Sequence, residues 1–440
     1  MSDPLSARTE PHKTEIHAPG AQAAAPPFSR RRFLGTTGVA AGTAGFALAR
    51  GAAAQSVQSA TAGEHNASAS DPGPQNKVLQ NLNPNSFTPP ATDHGLPPTF
   101  WNSFSAMHRR IQDGGWSRQV TVHDLPISKD IAGVNMRLTA GGIRELHWHE
   151  ANEWAIMLYG NARLTALTID GTPYVNDVAE GDLWYFPTGV PHSIQGLGPD
   201  GCEFLLVFDD GTFSEDNTTL LSDWMIHTPR EVVAKNWGVP QSALDPFKTV
   251  PPEGRFIFQA AVPPPLPQDQ AAAADNGRAD NNAFQFRLNQ MKPQKSDRMG
   301  QVKIVDSTNF PAAANIAMAH VTVKPGGMRE MHWHPNANEW QYYIKGKGRM
   351  TVFFNHADSR TIDFNAGDVG YVPQPLGHYI ENTGDSDLVF LEMFHASHYQ
   401  DISLNDWLTH LPPELVTAHL GISRETLAAI PKANLALVPA

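Results

Sequence analysis

GGIRELHWHEANEWAIMLYG, residues 141–160, decides how this chain reads, together with its near-copy GGMREMHWHPNANEWQYYIKG at 326–346. In the first copy His147 and His149 are separated by one residue. On a β-strand that spacing places both imidazoles on one face, because successive side chains alternate. A polar turn, Glu150-Ala151-Asn152, follows, and Glu153 opens an apolar run that closes at Gly160. Two imidazoles on one strand and a carboxylate on its hairpin partner can meet at a point. His192, ending a turn in GDLWYFPTGVPHSI, adds a third imidazole and completes an N3O metal shell. The second copy repeats the set as His332, His334, Glu339 and His378. The first histidine is displaced by 185 residues between copies and the last by 186. The extra residue falls in the turn PNAN, where an insertion is tolerated. One HxH pair alone would read as two core histidines; two matched sets point to two metal sites.

The 440 residues are enough for two full cores, and the repeat gives both the same architecture. Cys202 is the only cysteine, which excludes an intrachain disulfide and a thiolate metal site. With 32 basic and 44 acidic residues the net charge is −12, which argues against nucleic acid or an anionic membrane as partner. A small anionic substrate would then depend on positive charge gathered locally, from a divalent metal and an arginine. Arg144 and Arg329 each precede the first histidine of their set by three. Strict alternation would turn them away from the ligands, so a bulge or a strand end is needed to bring them in. The plainer alternative is a salt bridge at the rim.

Residues 1–54 read as an export segment. Ser29-Arg30-Arg31-Arg32-Phe33-Leu34 matches the twin-arginine pattern, with Gly35 where lysine is usual. A mildly apolar Gly/Ala/Thr stretch follows, and Ala52-Ala53-Ala54 fits a cleavage site. Cleavage there leaves 26 basic and 41 acidic residues, a net −15. No later run is apolar and long enough to span a bilayer. Residues 55–95, rich in Ala, Ser, Asn and Pro, read as a flexible lead-in arm. Residues 96–238 form a first domain of short strands separated by Gly, Pro, Asn and Asp. It closes on SDWMIHTPREVVAKNWG, where Ser222 or Asp223 caps one short helix and Thr228-Pro229 opens another. Residues 239–285, with the Pro/Ala/Asn stretch VPPPLPQDQAAAADNGRADNNA, read as a linker. Residues 286–440 repeat the strands and the helical tail, Trp224-x-x-His227-x-Pro229 returning as Trp407-x-x-His410-x-Pro412. The tail histidines read as packing or capping groups.

Each lobe resembles the cupin double motif. The first matches it at Gly141, His147, His149, Glu153 and Gly160, then at Gly181, Pro187, Gly189 and His192. The second matches at Gly326, His332, His334, Glu339 and Gly346, then at Gly367, Pro373, His378 and Asn382. Gly196 stands where the pattern has Asn, and Pro375 where it has Gly; these departures bear on turn shape rather than on the ligands. The duplication, RE(L/M)HWH in both lobes and FDDGTFSEDNT at 208–218 resemble the bicupin oxalate decarboxylases, from about Asp93 to the end. That resemblance implies an all-β chain of two tandem jelly-roll β-sandwich domains, each followed by short C-terminal helices. It also implies Mn2+ in each, two per chain. Imidazole and carboxylate suit manganese or iron alike; the resemblance favours manganese.

The resemblance further implies oxalate as substrate, converted to formate and carbon dioxide with dioxygen as a transient electron acceptor. Arg144 and Arg329 would hold the carboxylate not bound to metal, a task that suits a guanidinium fork. Glu215, in the polar loop Ser214–Thr218, matches the proton carrier on the family's lid. Lobe two is shorter there, thirteen positions from Phe394 to Trp407 against sixteen from Phe208 to Trp224. Instead it has Glu392 within LVFLEMF, read as a buried partner for Arg329 or a second acid near the second metal. Tyr399 resembles a residue of the family's second site. Trp148 and Trp333 point away from the ligands and read as outer-face packing; the resemblance places them at a subunit contact that relays electrons. Two other functions stay open. One is oxalate oxidase, giving carbon dioxide and hydrogen peroxide, which the lid glutamate argues against. The other is a non-catalytic manganese-binding or storage bicupin, which would have no use for Arg144 or Glu215. A homo-oligomer, trimer or hexamer, is implied by the family, and a periplasmic or secreted location by the export segment.

Overall fold

Alternating side chains and frequent turn formers fold this chain as β-sheet almost throughout. The computed structural model describes residues 73–274 and 283–439; the export segment 1–54 and residues 55–72 of the lead-in lie outside them. Each lobe is a jelly roll of two facing antiparallel sheets, as expected. In lobe one the strands Gly115–Val120, Ala132–Leu138, Cys202–Phe208 and Asp182–Phe186 join the first half of the long strand Glu153–Leu167. The second half of that strand pairs with Pro173–Ala179 and His192–Gly196, and the latter with Gly142–Trp148. The sequence suggested that this strand closes at Gly160. It instead crosses there from one sheet to the other at φ 73°, where a Cβ would lie 2.0 Å from the Gly201 carbonyl oxygen. Lobe two makes the same turn with two strands, Glu339–Lys345 and Lys347–Phe353, parted at Gly346.

Alternation along Glu153–Leu167 decides what each face buries. Glu153 and Ala155 point between the sheets of lobe one, among Met136, Leu164, Phe186 and Phe204. Trp154 and Ile156 point outward, yet not to water: they share a second core with Trp340, Val369 and Leu391 of lobe two. The two lobes are thus joined sheet to sheet. Trp340 lies so close to Gly133 of lobe one that a Cβ there would meet its ring at 2.7 Å.

The domain boundaries read from composition need correction. Strand Trp101–Ser103, at the start of lobe one, pairs with Asp368–Gly370 of lobe two. Strand Gln285–Arg287 pairs in return with Asp182–Trp184 of lobe one. Each lobe therefore lends an edge strand to the other, covering edges that would otherwise be open. The described part of the lead-in is not a loose arm. Helix Lys77–Leu82 and the turn Pro84–Ser86 dock on lobe two, where Asp363 accepts from the Asn85 amide at 2.9 Å and Asp93 from the Thr361 amide at 2.9 Å. The expected linker is largely part of lobe one: Ile257–Gln259 pairs with Gly142–Arg144, and helix Leu266–Ala273 lies on strand Pro173–Ala179. Only 275–282 of it lies outside the described residues. Polar, Pro-rich segments can be ordered when a neighbouring sheet supplies the contacts that their own sequence lacks.

The tail helices Leu221–Ile226 and Arg230–Trp237 follow Leu220 and Pro229, with no side-chain cap on either. Ser222 is engaged elsewhere: its N–H and its hydroxyl both donate to buried Glu145, each at 2.9 Å. His227 and His410 sit exposed at helix ends, each against the carbonyl four residues back, as caps. Trp148 and Trp333 pack edge-to-face on Trp224 and Trp407 at centroid distances of 5.6 and 5.5 Å, so the outer-face reading holds.

Polar bridges between the lobes end beside the ligand glutamates. Asp130 of lobe one accepts from Asn338 Nδ2 at 2.8 Å and from the Tyr371 hydroxyl at 2.6 Å, both in lobe two. Asn315 of lobe two in turn bonds Asp209 and accepts from Tyr185 of lobe one, and Asp209 holds the Asn152 amide at 2.8 Å. Asn152 and Asn338 directly precede Glu153 and Glu339. Replacing Asp130 with Ala orphans two donors, each worth roughly 1–3 kcal/mol when buried. Calorimetry should show the unfolding transition moved down by several degrees; an unchanged transition would mean that the Asp130 bridge adds nothing to the other contacts that join the lobes.

Candidate metal centres and lid

In both lobes the HxH strand carries a bulge between the arginine and the first histidine, where its register to the facing strand shifts. The bulge turns Arg144 inward with His147, and Arg329 inward with His332, although three residues separate each pair. His192 and His378 enter from that facing strand, opposite His147 and His332. Glu153 and Glu339 enter from the start of the next hairpin strand. All eight predicted ligands are buried, and in each lobe the four donor atoms lie within 4.8 Å of one another.

The hydrogen bonds around each ring decide which nitrogen faces inward. Nδ1 of His147, His149 and His192 lies 2.6–2.8 Å from the carbonyls of Glu145, Ala151 and Val190. In lobe two the partners are the carbonyls of Glu330, Gln400 and Leu376 at 2.7–3.1 Å. A carbonyl only accepts, so Nδ1 carries the proton and Nε2 presents a lone pair. The Nε2 atoms of His332 and His334 stand 3.2 Å apart with neither able to donate. Nε2 of His192, Nε2 of His378 and Oε2 of Glu339 have no hydrogen-bond partner. Lone pairs gathered this closely, out of water, fit a cation and fit little else. Burial, with Arg144 and the neighbouring imidazoles, holds His147 well below the usual histidine range, hence neutral.

The ligand carboxylates are steadied differently in the two lobes. Trp184 Nε1 donates to Glu153 at 3.0 Å, whereas Gln341 Nε2 donates to Glu339 at 2.6 Å. The exchange is paired: Ala155 faces Trp184 across the strands, and Gln341 faces Gly370. In each lobe the small residue makes room for the large one that faces it. Sequence reading missed these four, although the repeat alignment pairs Ala155 with Gln341 and Trp184 with Gly370.

The arginines differ more. Arg329 is fully buried and bonded to Glu392 at 3.2 Å, the Tyr399 hydroxyl at 2.7 Å and Asp401 at 2.8 Å. Of the two readings of Glu392, the partner of Arg329 is the one found. Burial pushes the Glu392 carboxyl up, partly offset by the guanidinium beside it; Asp401, despite its own burial, is held below the usual carboxylate range by the same guanidinium. Arg144 has no carboxylate within 4.0 Å among the described residues. It reaches only the Phe256 carbonyl, at 3.4 Å, and stacks on that residue's ring at 4.0 Å. Burial lowers it to about 10, so it remains charged at neutral pH. Ala436 occupies the place of Phe256 in lobe two, its carbonyl accepting from Arg329 at 3.3 Å.

Arg144, His147, His149, Glu153, Phe213 and Glu215 line one small cavity of about 10 Å³ in lobe one, room for about one water. Glu215 opens a short turn, Glu215–Asn217, and is buried. Its Oε2 accepts from Ser117 Oγ at 2.6 Å, while Oε1 has no partner. Burial raises its pKa, partly offset by Arg144 and Ser117. Phe213 anchors the loop by stacking on Phe208 at 3.6 Å, and both rings meet His149 edge-on. A larger apolar cavity lies on the outer face of this sheet, against Leu146, Met225 and Trp237. The buried carboxylate there, Glu145, is already saturated by Ser222 and the amides of Arg255 and Phe256.

The sequence profile of the cupin family matches residues 102–244 and again 286–428. The chain is 51% identical over 352 residues to the oxalate decarboxylase OxdC of Bacillus subtilis, covering 80% of this chain and 90% of that one. It is 41% identical over 364 residues to a probable oxalate decarboxylase of Arthroderma benhamiae, covering 82% and 88%. A solved structure of the Bacillus subtilis oxalate decarboxylase, described for its Mn(II) centres, superposes with a TM-score of 0.80 at 49% identity. That likeness covers 84% of this chain and 97% of that one.

Each shell should empty independently when its carboxylate is removed. Elemental analysis of Glu153→Ala, and separately of Glu339→Ala, should find about one metal per chain in place of two, since a missing ligand lowers affinity strongly. Two metals retained in either variant would contradict the assigned shells.

Proposed function

The chain belongs to the bicupin oxalate decarboxylases, and from that membership we propose that lobe one carries the reaction while lobe two supports it. The protein is a manganese-dependent oxalate decarboxylase, converting oxalate to formate and carbon dioxide. In that conversion one carbon–carbon bond breaks, one carbon–hydrogen bond forms, and nothing is oxidised overall. The protein must therefore hold a small anion and deliver one proton to carbon.

When bound, manganese supplies an electrophile and a one-electron partner, with dioxygen as transient electron acceptor; His147, His149, Glu153 and His192 would hold it. Arg144 takes the free carboxylate end of oxalate. Its N–H groups are not committed to a protein carboxylate, and in a buried site its charge acts with little screening. Glu215 removes the proton from bound substrate and returns it to the formate carbon. Its raised pKa suits a group that must do both. The loop that carries it closes the cavity and keeps water out while that happens. A late proton would leave the formyl fragment open to further oxidation, the route to a second carbon dioxide and to peroxide. The observation that carries this reading is the placement of Glu215 in the wall of the Arg144 cavity with one oxygen unpartnered. In lobe two the arginine is saturated by Glu392, Tyr399 and Asp401, so we assign Arg329 and Glu392 to support rather than to catalysis.

Two further parts of the proposal rest on the sequence and the surface. The segment around Arg30-Arg31 directs export by the twin-arginine route to the periplasm or beyond, already folded and with its metal in place. That order matters, because a His/carboxylate shell loaded outside would favour copper over manganese. A homo-oligomer is proposed because equivalent apolar residues stand half exposed on both lobes, Leu146 with Met331 and Trp224 with Trp407. Among the described residues no helix is long and apolar enough to cross a membrane.

Glu215→Gln retains shape but cannot carry the proton. Formate production should fall roughly 100-fold or more, the usual scale for a lost general acid–base group. Metal content should stay at two per chain, and peroxide per oxalate consumed should rise. Near-normal formate production would overturn the role given to Glu215. For export, Arg30→Lys with Arg31→Lys should leave folded, metal-loaded protein in the cytoplasm; normal export of that variant would refute the targeting reading.

A further inference from the structure

The lid does not close on the barrel at large; it closes on one hairpin. Strands Arg110–Gln112 and Gly115–Val120 pair so that Arg110 sits directly across from Ser117. Ser117 and Gln119, two apart on one strand, share a face, and three side chains of this hairpin reach the lid. Ser117 Oγ donates to Glu215 Oε2 at 2.6 Å, Gln119 Oε1 accepts from the Glu215 amide at 3.3 Å, and Arg110 Nη1 pairs with Asp216 at 2.9 Å.

These contacts are not equal. The Asp216 side chain is 81% exposed, so its pairing with Arg110 is screened and contributes little. Ser117 is completely buried, and the glutamate it serves is only 8% exposed. A hydrogen bond to a buried charge is among the stronger polar contacts a protein makes, and its loss leaves the carboxylate with no donor on either oxygen.

The duplication supplies an internal control. Pairing registers align Ser117 with Val302 and Gln119 with Ile304 of lobe two. Both of those are apolar and pack into the lobe-two core. The lobe without a lid glutamate fills these positions with hydrocarbon; the lobe with one places a hydroxyl and an amide there. Neither polar group is needed by the sheet, because the same strand is built without them in lobe two.

We propose that Ser117 is a positioning residue for the decarboxylation, holding the Glu215 carboxylate turned into the cavity so that its free oxygen faces the substrate, with Gln119 fixing the backbone of the same lid residue. This rests on the assignment of Glu215 as proton carrier. Without Ser117 the carboxylate has no tether and the lid spends more time away from the cavity. Proton delivery is then late in a fraction of turnovers, and that fraction ends in oxidation. The oxidant is the dioxygen that the reaction already uses, reduced to peroxide as both carbons of oxalate leave as carbon dioxide.

The test compares full-length, manganese-loaded wild type with Ser117→Ala and Ser117→Thr. In Ser117→Ala, kcat for formate should fall about 10-fold, the scale of one hydrogen bond to a charged group, with KM altered far less. Peroxide per oxalate should rise. Loss of the donor disfavours the ionised carboxylate, so the limb of the pH–rate profile due to Glu215 should move upward. Hydrogen exchange at the amides of Asp216–Thr218 should quicken several-fold with metal content unchanged. Ser117→Thr keeps the hydroxyl and should restore the product ratio. The proposal is overturned if Ser117→Ala matches wild type in rate and product ratio. It is equally overturned if the rate falls with lid exchange, product ratio and pH profile unmoved, which is the signature of a purely structural role. Glu215→Gln separates the two layers of the argument: normal formate production there would sink the Glu215 assignment itself, whatever Ser117→Ala shows.

Discussion

Four lone-pair donors crowded into each barrel are the constraint on which this molecule depends. Backbone carbonyls claim the Nδ1 protons, which forces every Nε2 inward, and the ligand carboxylates add negative charge among them. Without a cation such a cluster opposes folding; with one it becomes an anchor, because metal affinity is folding free energy. Much of the local architecture serves that cluster. The bulge in the HxH strand, the turn before each glutamate, and the bridges from Asp130 and Asp209 to Asn338 and Asn152 all fix the approach of a donor.

Around that common shell the lobes have diverged in ways that compensate locally and differ globally. Ala155 with Trp184 and Gln341 with Gly370 are two solutions to one packing problem, and both end in an N–H donated to the ligand carboxylate. The arginines are not two solutions to one problem. Lobe two surrounds Arg329 with Glu392, Tyr399 and Asp401, so the position an external carboxylate would take is filled from within. Lobe one gives Arg144 a ring to stack on and a carbonyl, and leaves its remaining capacity facing the cavity. A buried guanidinium without a counterion is costly unless a ligand completes it. In the proposed function, the charge of the substrate is that completion.

The metal shells and the short-strand, duplicated build were legible in the sequence because they rest on short-range regularities: alternation along a strand, turn residues at fixed places, and a repeat that doubles each signal; the jelly roll itself came from the family resemblance. The inward turn of Arg144 could be anticipated as a bulge, since alternation alone forbade it. Other features depend on contacts between distant segments. Ser117 and Phe256 lie far from the motifs in sequence, and nothing local marks a serine on an edge hairpin as a partner of Glu215. The lead-in and linker misled for a related reason. Their composition describes a chain without a core of its own, yet Lys77–Leu82 and Leu266–Ala273 are ordered by sheets that belong to other parts of the chain. The exchange of strands Trp101–Ser103 and Gln285–Arg287 between lobes likewise leaves no trace in composition.

The central claim is that one arginine of the two is free to receive substrate. Calorimetric titration of the manganese-loaded protein with oxalate, in the absence of dioxygen so that turnover is blocked, counts the sites directly. The structure predicts one oxalate per chain, with binding lost in Arg144→Ala. Two oxalates per chain, or undiminished binding in Arg144→Ala, would contradict it.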